Sequence, residues 1–538
     1  MSQACLLSSY EGGRLTIARW SLETGGGWLI VAGRLVLLGL ARPLDAAEFA
    51  CAAGDVACLI SAIHAANANG TANTLTLAAG LYTLTAVDNT PDGPTGLPSI
   101  TGRLTITGTG ADTTIIERAA GAPQFRLLHV AASGTLAVDG LTLQGGNLAG
   151  LPDGGGGVRN RGTLTMTHSL LRGHAASSGG GIYTTATLTI THSTVSGNVA
   201  GDGGGIFYAG HLGTITDSTL SGNIASGNGG GIALGISSLT ITSSTLRGNT
   251  AGSVGGGIAL EQYLSSATLI NCTVSGNMAS RGGGIGTMAR PGAVFPQNTI
   301  LAGNWVPPTG TGPDCSALGT SQGHNLFGDP TGCPLAPTDL TGDPGLGDFT
   351  DDGTPGQGYV PLLPTSRAID AADPAACPAT DQLGQLRVTP CDIGAIEFAP
   401  VTVTLGLNQA TFRVGETLRV ALGIHHPGLT VTADAYLGVL LPDGVTVFFV
   451  TSLAPLNGVV TRLDADPRAF APLAACFEFL PGEETTVEDV FVYTCTGGES
   501  SGSSTIFTRL TPPGAFADGQ VDTGDLLGLT LQPFPVSP

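Results

Sequence analysis

The chain has 538 residues, 84 of them Gly, with 11% charged residues and a formal net charge of −20. No lysine occurs, and all 20 basic residues are Arg. This balance argues against a nucleic-acid binder, which needs a basic face, and it rules out lysine nucleophiles and bases.

The first 47 residues read as a leader. Trp28 to Ala41 (WLIVAGRLVLLGLA) is an apolar run of signal-peptide length with small residues at Ala46 and Ala47, although Arg34 interrupts it. A misassigned start codon would account for the long stretch before it. No later segment approaches the length of a membrane-spanning helix. Asp55 to Ala66 follows with a helical pattern: Leu59, Ile60 and Ile63 share one face, Asp55 can cap the start, and Asn67 to Gly70 ends it. Next come short alternating runs, at Thr74–Leu77, Leu104–Thr107, Thr114–Ile116 and Leu141–Leu143, that read as strands.

The middle of the chain repeats. Gly-Gly-Gly followed by an aliphatic residue ends at Val158, Ile182, Ile206, Ile232, Ile258 and Ile285, and a second phrase ends at Asn198, Asn223, Asn249, Asn277 and Asn304. Both recur every 24 to 28 residues. Three short apolar pieces separated by Gly, Ser, Asn and Asp make one coil of a parallel β-helix. An α-solenoid would need Ala, Leu, Glu and Lys instead. Stacking the coils predicts inward columns, one of them Ile182, Ile206, Ile232, Ile258 and Ile285. It also predicts an asparagine ladder, and a small-residue column of Ser169, Ser193, Ser218, Ser244 and Cys272. Cys272 there is core filler. The terminal helix would cover the open end of the solenoid.

The cysteines pair by proximity as Cys51 with Cys58, Cys315 with Cys333, Cys377 with Cys391 and Cys476 with Cys495, leaving Cys5 and Cys272. Their spacings fit no zinc pattern and suggest an oxidising compartment.

Beyond Asn304 the pattern dissolves. The segment PLLPTSRAIDAADPAACPATDQLGQLRVTPCDIGAIE, Pro361 to Glu397, resembles the tail of bacterial right-handed β-helix surface proteins of the choice-of-anchor Q type. The matching residues are Leu363-Pro364, Ser366, Ala368-Ile369-Asp370, Thr380-Asp381-Gln382, Gly384, Cys391-Asp392-Ile393-Gly394-Ala395 and Glu397, together with Ser321 to Asp329 upstream. Arg367, Ala372 and Leu383 depart from the pattern. The resemblance covers roughly Cys51 to Glu397. It implies a secreted or cell-surface protein of the pectate-lyase-like fold, and it implies no particular activity. Val401 to Pro538 reads as short strands with turn signals, which suggests an immunoglobulin-like β-sandwich.

The expected class is therefore all-β: a right-handed parallel β-helix with an N-terminal capping helix, then a β-sandwich. The expected divisions are 1–47 leader, 48–310 β-helix with cap, 311–398 irregular end with the resembling tail, and 401–538 sandwich.

Chemistry is sparse. Among acids the regular coils carry Asp202, Asp217 and Glu261, and Arg159, Arg161, Arg172, Arg247 and Arg281 are scattered, so these read as solvated turn residues and no catalytic residue is expected. Tyr183, Phe207, Tyr208 and Tyr263 are the aromatics nearby, and His168 and His192 share a slot with Asp217. No cofactor is expected. Two stretches could take Ca²⁺: Asp343, Asp348, Asp351 and Asp352, and Asp518, Asp522 and Asp525. The functional expectation is an exported, adhesin-like structural or glycan-binding protein without enzymatic activity, its partner a polysaccharide or cell-surface ligand. The alternative is a polysaccharide lyase or glycoside hydrolase of the same fold.

Overall fold

The structure, a computed structural model, describes residues 46–288, 292–316, 319–333 and 335–399, then the backbone of strands between Thr402 and Ser537. Residues 1–45 of the expected leader, Cys5 among them, lie outside these described residues, as do Cys495 and Asp518 to Asp525.

Residues 48 to 341 wind into a parallel β-helix of about ten turns. The regular turns lay one strand on each of three sheets, of ten, eleven and eight strands. The first sheet runs from Glu48–Cys51 to Ala293–Gln297, the second from Gly80–Leu84 to Leu340–Thr341, and the third from Leu128–Val130 to Cys315–Ser316. Pairing is parallel and in register, so the repeat in sequence becomes a column in space. The Gly-Gly-Gly-Ile phrase enters the third sheet and stacks Ile182, Ile206, Ile232, Ile258 and Ile285, all buried. Strands on the second and third sheets continue past residue 310 as Cys315–Ser316, Leu326–Phe327 and Leu340–Thr341. Two of the three sheets therefore outlast the sequence pattern.

The start of the solenoid is covered by a helix, Val56–Asn69. Asp55 caps it by accepting from the Cys58 amide at 2.9 Å, and Gly70 ends it in the left-handed conformation at φ 71°. Leu59 and Ile63 are buried, and Cys51–Cys58 ties the helix to the first strand.

On the first sheet the alternation sends Leu164, Leu188 and Leu239 inward. Outward stand two threonine rows in register: Thr165, Thr189, Thr214, Thr240 and Thr268, and Thr167, Thr191, Thr216 and Thr242. Tyr208 breaks the inward pattern. Its ring enters the core and fills the space left by Gly213, where an added Cβ would lie 2.8 Å from the ring.

The turn between the second and third sheets carries the asparagines. Each side-chain amide donates to the side-chain oxygen of the next: Asn198 to Asn223, Asn223 to Asn249, Asn249 to Asn277 and Asn277 to Asn304, all at 2.9 Å. Each oxygen also accepts a backbone amide from the previous coil, as Asn249 does from Asn223 at 3.0 Å. The row ends in non-asparagine caps. Asp314 accepts from the Asn304 side chain at 2.8 Å, and at the other end His174 fills the equivalent slot, its amide donating to Asn198 at 3.0 Å. The serines form a second row, the amides of Ser169, Ser193 and Ser218 each donating to the next hydroxyl. Cys272 is buried beside it, its thiol pushed up to about 12 by burial.

Residues 356–398 turn back as a strap over the outer edge of the second sheet, bonding a threonine row there. The Gly356 amide donates to Thr194 at 2.8 Å, Thr219 donates to the Gly358 carbonyl at 2.7 Å, Thr245 to Gln382 at 2.6 Å, and the Ala395 amide donates to Thr273 at 3.1 Å. Gly356 sits at φ 80°, and a Cβ there would lie 2.7 Å from the Asp217 carbonyl, so the close approach requires glycine.

Farther on, two antiparallel groupings of strands lie between Thr402 and Ser537. One joins Thr402–Leu407, Thr417–His425 and Glu484–Thr494, and the other centres on Val431–Leu440, Gly502–Thr511 and Gly528–Ser537.

Candidate functional site

The strap leaves the N-terminal coils of the second sheet open. There one residue of each successive strand stands outward in register: Glu117, Gln144, Arg172, then Ser196. These side chains form a hydrogen-bonded row. Thr83 donates to Glu117 at 3.1 Å, Gln144 donates to Glu117 at 2.9 Å, and Arg172 donates through Nε to Gln144 at 3.0 Å. Arg172 is exposed, and its two terminal nitrogens have no protein partner among the described residues. Beside the row runs a ledge of Gly145, Gly173 and Gly197, all at positive φ. Row and ledge line a shallow groove of about 450 Å³. Its neighbour Arg118 is occupied, donating to the Gly145 and Ala122 carbonyls. The groove thus offers one unspent cation and a polar row able to donate and accept.

The outer face of the third sheet is built differently. Its outward column runs His129, Arg159, Tyr183, Phe207, Ala233 and Ala259. Tyr183 and Phe207 stack with ring centroids 5.2 Å apart, and the Arg159 guanidinium lies 5.4 Å from the Tyr183 ring. Arg159 is also ion-paired to Asp153, which holds the fully buried Arg126 at 2.7 Å. His129 lies 3.2 Å from Asp92, yet burial pulls its pKa down to about 4. Farther along, the Asn228 side chain donates to both Asp202, at 3.1 Å, and Glu261, at 3.3 Å. Burial, with the nearby Asp202 charge, pushes Glu261 up to about 7.

Several expectations change on this geometry. Asp202 and Glu261 are not isolated charges, because a turn residue between them, Asn228, gathers both. Arg159 and Arg161 are not free solvated residues; Arg161 pairs with Asp92 at 2.8 Å. Arg247 lies 5.5 Å from the Phe349 ring, and Arg281 donates to the Thr287 carbonyl at 3.1 Å. Tyr208 is core, whereas Tyr263 is exposed.

The tail motif is placed plainly: its polar residues hold the strap. Asp381 accepts from the Leu383 and Gln385 amides at 2.9 Å each and from Glu397 at 3.1 Å. Gln382 donates to Thr219, Gly356 and Gly358. Asp392 accepts from the Asp370 amide at 2.8 Å, and Glu397 pairs with Arg387 at 3.0 Å, nearly buried. Burial raises the pKa of Asp381 and takes that of Asp392 to about 6.

Among the proposed calcium residues, Asp343, Asp351 and Asp352 each accept an amide two residues on, within their own turns. Such turns spend each carboxylate locally. No group of three or more His, Cys, Asp or Glu side chains able to hold a metal occurs among the described residues, so Asp343, Asp348, Asp351 and Asp352 are not gathered as a ligand set. His168 and His192 stack 5.2 Å apart in a column of left-handed turn residues with Asp217. The disulfides Cys51–Cys58, Cys315–Cys333 and Cys377–Cys391 are formed. Cys476 lies in a described strand, but its pairing with Cys495 does not fall within the described residues.

Sequence reasoning passed over Glu117 and Gln144, whose signal was their register with Arg172. It also passed over the pairing of Tyr183 with Phe207, each of which directly follows the Gly-Gly-Gly-Ile phrase.

A family model described as a right-handed beta helix region matches residues 128–306. The chain is thus a right-handed parallel β-helix protein over its regular coils. No curated protein matches it. Among solved structures it is similar to the CARDB domain of the PF1109 protein from Pyrococcus furiosus, determined with di-metal ions, at 12% identity over 26% of this chain and 91% of that one, TM-score 0.16. It is also similar to Spo0M, a sporulation control protein from Bacillus subtilis, at 14% identity over 26% of this chain and 51% of that one, TM-score 0.16. A third is the PL6 family alginate lyase AlyGC, at 11% identity over 68% of this chain and 61% of that one, TM-score 0.24. No helix among the described residues is long and apolar enough to cross a membrane.

Proposed function

We propose that this right-handed parallel β-helix protein is exported and acts at the cell surface or outside the cell as a glycan-binding module, without turnover. The observation that carries the reading is the open groove along Glu117, Gln144 and Arg172. Its row presents donors and acceptors at coil spacing, about 4.8 Å, which suits the repeated hydroxyls of an extended sugar chain. The glycine ledge lets a chain approach the backbone closely. The disulfides support an oxidising compartment. In this reading residues 1–47 are a leader, 48–310 the solenoid, 311–398 its strapped end of the choice-of-anchor Q type in a bacterial surface protein, and 401–538 an immunoglobulin-like sandwich serving as spacer.

A glycan array tests the reading. Removing a charged hydrogen bond costs about 1.5–3 kcal/mol, so Arg172→Ala should weaken binding about tenfold or more. Binding that ignores both Arg172→Ala and Gln144→Ala would remove the groove from consideration.

A second reading, cleavage of a polysaccharide, has one observation in its favour: the Asp202 and Glu261 carboxylates share Asn228, with Glu261 held up to about 7. Paired carboxylates with one raised pKa suit acid–base hydrolysis. Release of reducing ends, lost in Glu261→Gln, would establish it.

A further inference from the structure

We propose that the two outward threonine rows of the first sheet form an ice-binding face. This inference is independent of the glycan groove, which lies on another sheet. The rows recur in strict parallel register over successive coils. Coils stack about 4.8 Å apart, and alternate residues along a strand lie about 6.6 Å apart. The result is a regular grid of hydroxyl and methyl groups about 19 Å long. Its two repeats lie close to the separations between water oxygens in ordinary ice.

Three further features favour a crystalline water lattice as the occupant. The face is neutral: between Thr163 and Ile270 no charged side chain stands outward on a strand of this sheet, and Asp139 bounds the patch one coil earlier. A neutral grid suits a neutral lattice and gives an ionic polymer nothing to pair with. No aromatic residue interrupts the two rows, and Phe295 bounds the first of them one coil beyond Thr268. The grid is also stiff. Threonine is β-branched with restricted χ1, and buried Leu188, Ile190, Ile215 and Ile241 support the sheet from beneath.

The second sheet provides an internal control. Its threonine row, Thr194, Thr219, Thr245 and Thr273, is fully engaged by the strap. On the first sheet, Thr165, Thr189, Thr214, Thr240 and Thr268 are half-buried or exposed, and their hydroxyls have no protein partner among the described residues. A hydroxyl row that this fold saturates where it is covered is thus left open in register where it is bare. Many weak, simultaneous hydrogen bonds on a rigid grid give avidity without strong single contacts.

The test uses the whole protein and ice itself. Thermal hysteresis and inhibition of ice recrystallisation are measured for the native chain, Thr189→Tyr, Thr214→Tyr and, on a different face, Thr250→Tyr. The native chain and Thr250→Tyr should shape ice crystals and block recrystallisation. The other two should lose activity about tenfold or more with an unchanged melting temperature, which shows that they are folded. The proposal is overturned if the native chain leaves ice growth unaffected, or if both folded Tyr variants keep full activity. Retention on cellulose or chitin that the Tyr variants abolish, with no effect on ice, would assign the face to a neutral crystalline polysaccharide and overturn it equally.

Discussion

In the middle coils every ladder asparagine meets the same partners, one coil on and one coil back. In the strap no two side chains do the same thing: Gln382 bridges two glycine carbonyls and two threonines, while Asp381, Asp392 and Glu397 each collect a different set of amides. Both regions satisfy buried polar backbone. The coils do it with one solution repeated, so that loss of a member is felt by its neighbours. The strap does it with single-use residues, so that its loss can stay local.

The largest expected effect breaks the repeated solution. Asn249→Leu removes the acceptor of the Asn223 backbone and side-chain amides and the donor to the Leu220 carbonyl, and leaves the Asn277 oxygen with only the backbone amide of residue 249. Each unsatisfied buried group costs about 1–3 kcal/mol, so the loss should reach about 4 kcal/mol or more in denaturant unfolding. Loss below about 1 kcal/mol would mean that the ladder is not cooperative.

The matching change in the strap is Gln382→Ala. It removes bonds to Thr219, Thr245, Gly356 and Gly358, and should cost about 2–3 kcal/mol. Hydrogen exchange should show the strap opening while the middle coils keep their protection. Equal loss of protection in both regions would erase the contrast between them.

This difference also explains what could be read in advance. The column of Ile182 to Ile285, the asparagine positions and the capping helix follow from period, alternation and local capping, which act within one coil. The strap depends on pairs such as Thr219 with Gly358, far apart in sequence, and no local pattern encodes that approach. Glu117 and Gln144 were legible only through their register with Arg172, because no repeated phrase marks their own strands. Asn228, which joins Asp202 to Glu261, looks like any other turn residue.

A smaller effect comes from pH. Burial, then the Asp381 charge, raises Asp217 to about 6, and burial takes Asp392 to about 6, both beneath or within the strap. Their folded pKa values exceed the unfolded ones, so the folded state holds more protons between about pH 4 and 6. Their contribution is complete below about pH 4 and is lost as pH rises through about 6. His174 runs the other way: burial lowers it to about 4, so its contribution falls as pH drops below about 6.5. Asp217→Asn should remove about 1–2 kcal/mol of the loss between pH 4 and 7. His174→Asn, which keeps an amide in the ladder slot, should instead flatten the acid side. Melting curves across pH separate the two, and an unchanged profile in both variants would show that strap and ladder do not titrate.

The smallest expected effect lies where the repeat is broken from within. The Tyr208 hydroxyl is buried with no hydrogen-bond partner among the described residues, and burial pushes its pKa up to about 12. The ring is nonetheless accommodated, since Gly213 takes the slot that Leu188 and Leu239 fill in the coils on either side. Shape therefore retains the aromatic while the polar atom adds a desolvation cost. Tyr208→Phe keeps the shape and removes that cost, so stability should stay level or rise by about 1 kcal/mol. Gly213→Leu restores the column but collides with the ring, and should lower stability by about 1–3 kcal/mol. Combining Gly213→Leu with Tyr208→Leu, the residue at the Leu234 position one coil on, should recover much of that loss. A Tyr208→Phe variant that lost 2 kcal/mol or more would reveal a partner for the hydroxyl, such as a bound water, and would make this coil a second polar node in the core.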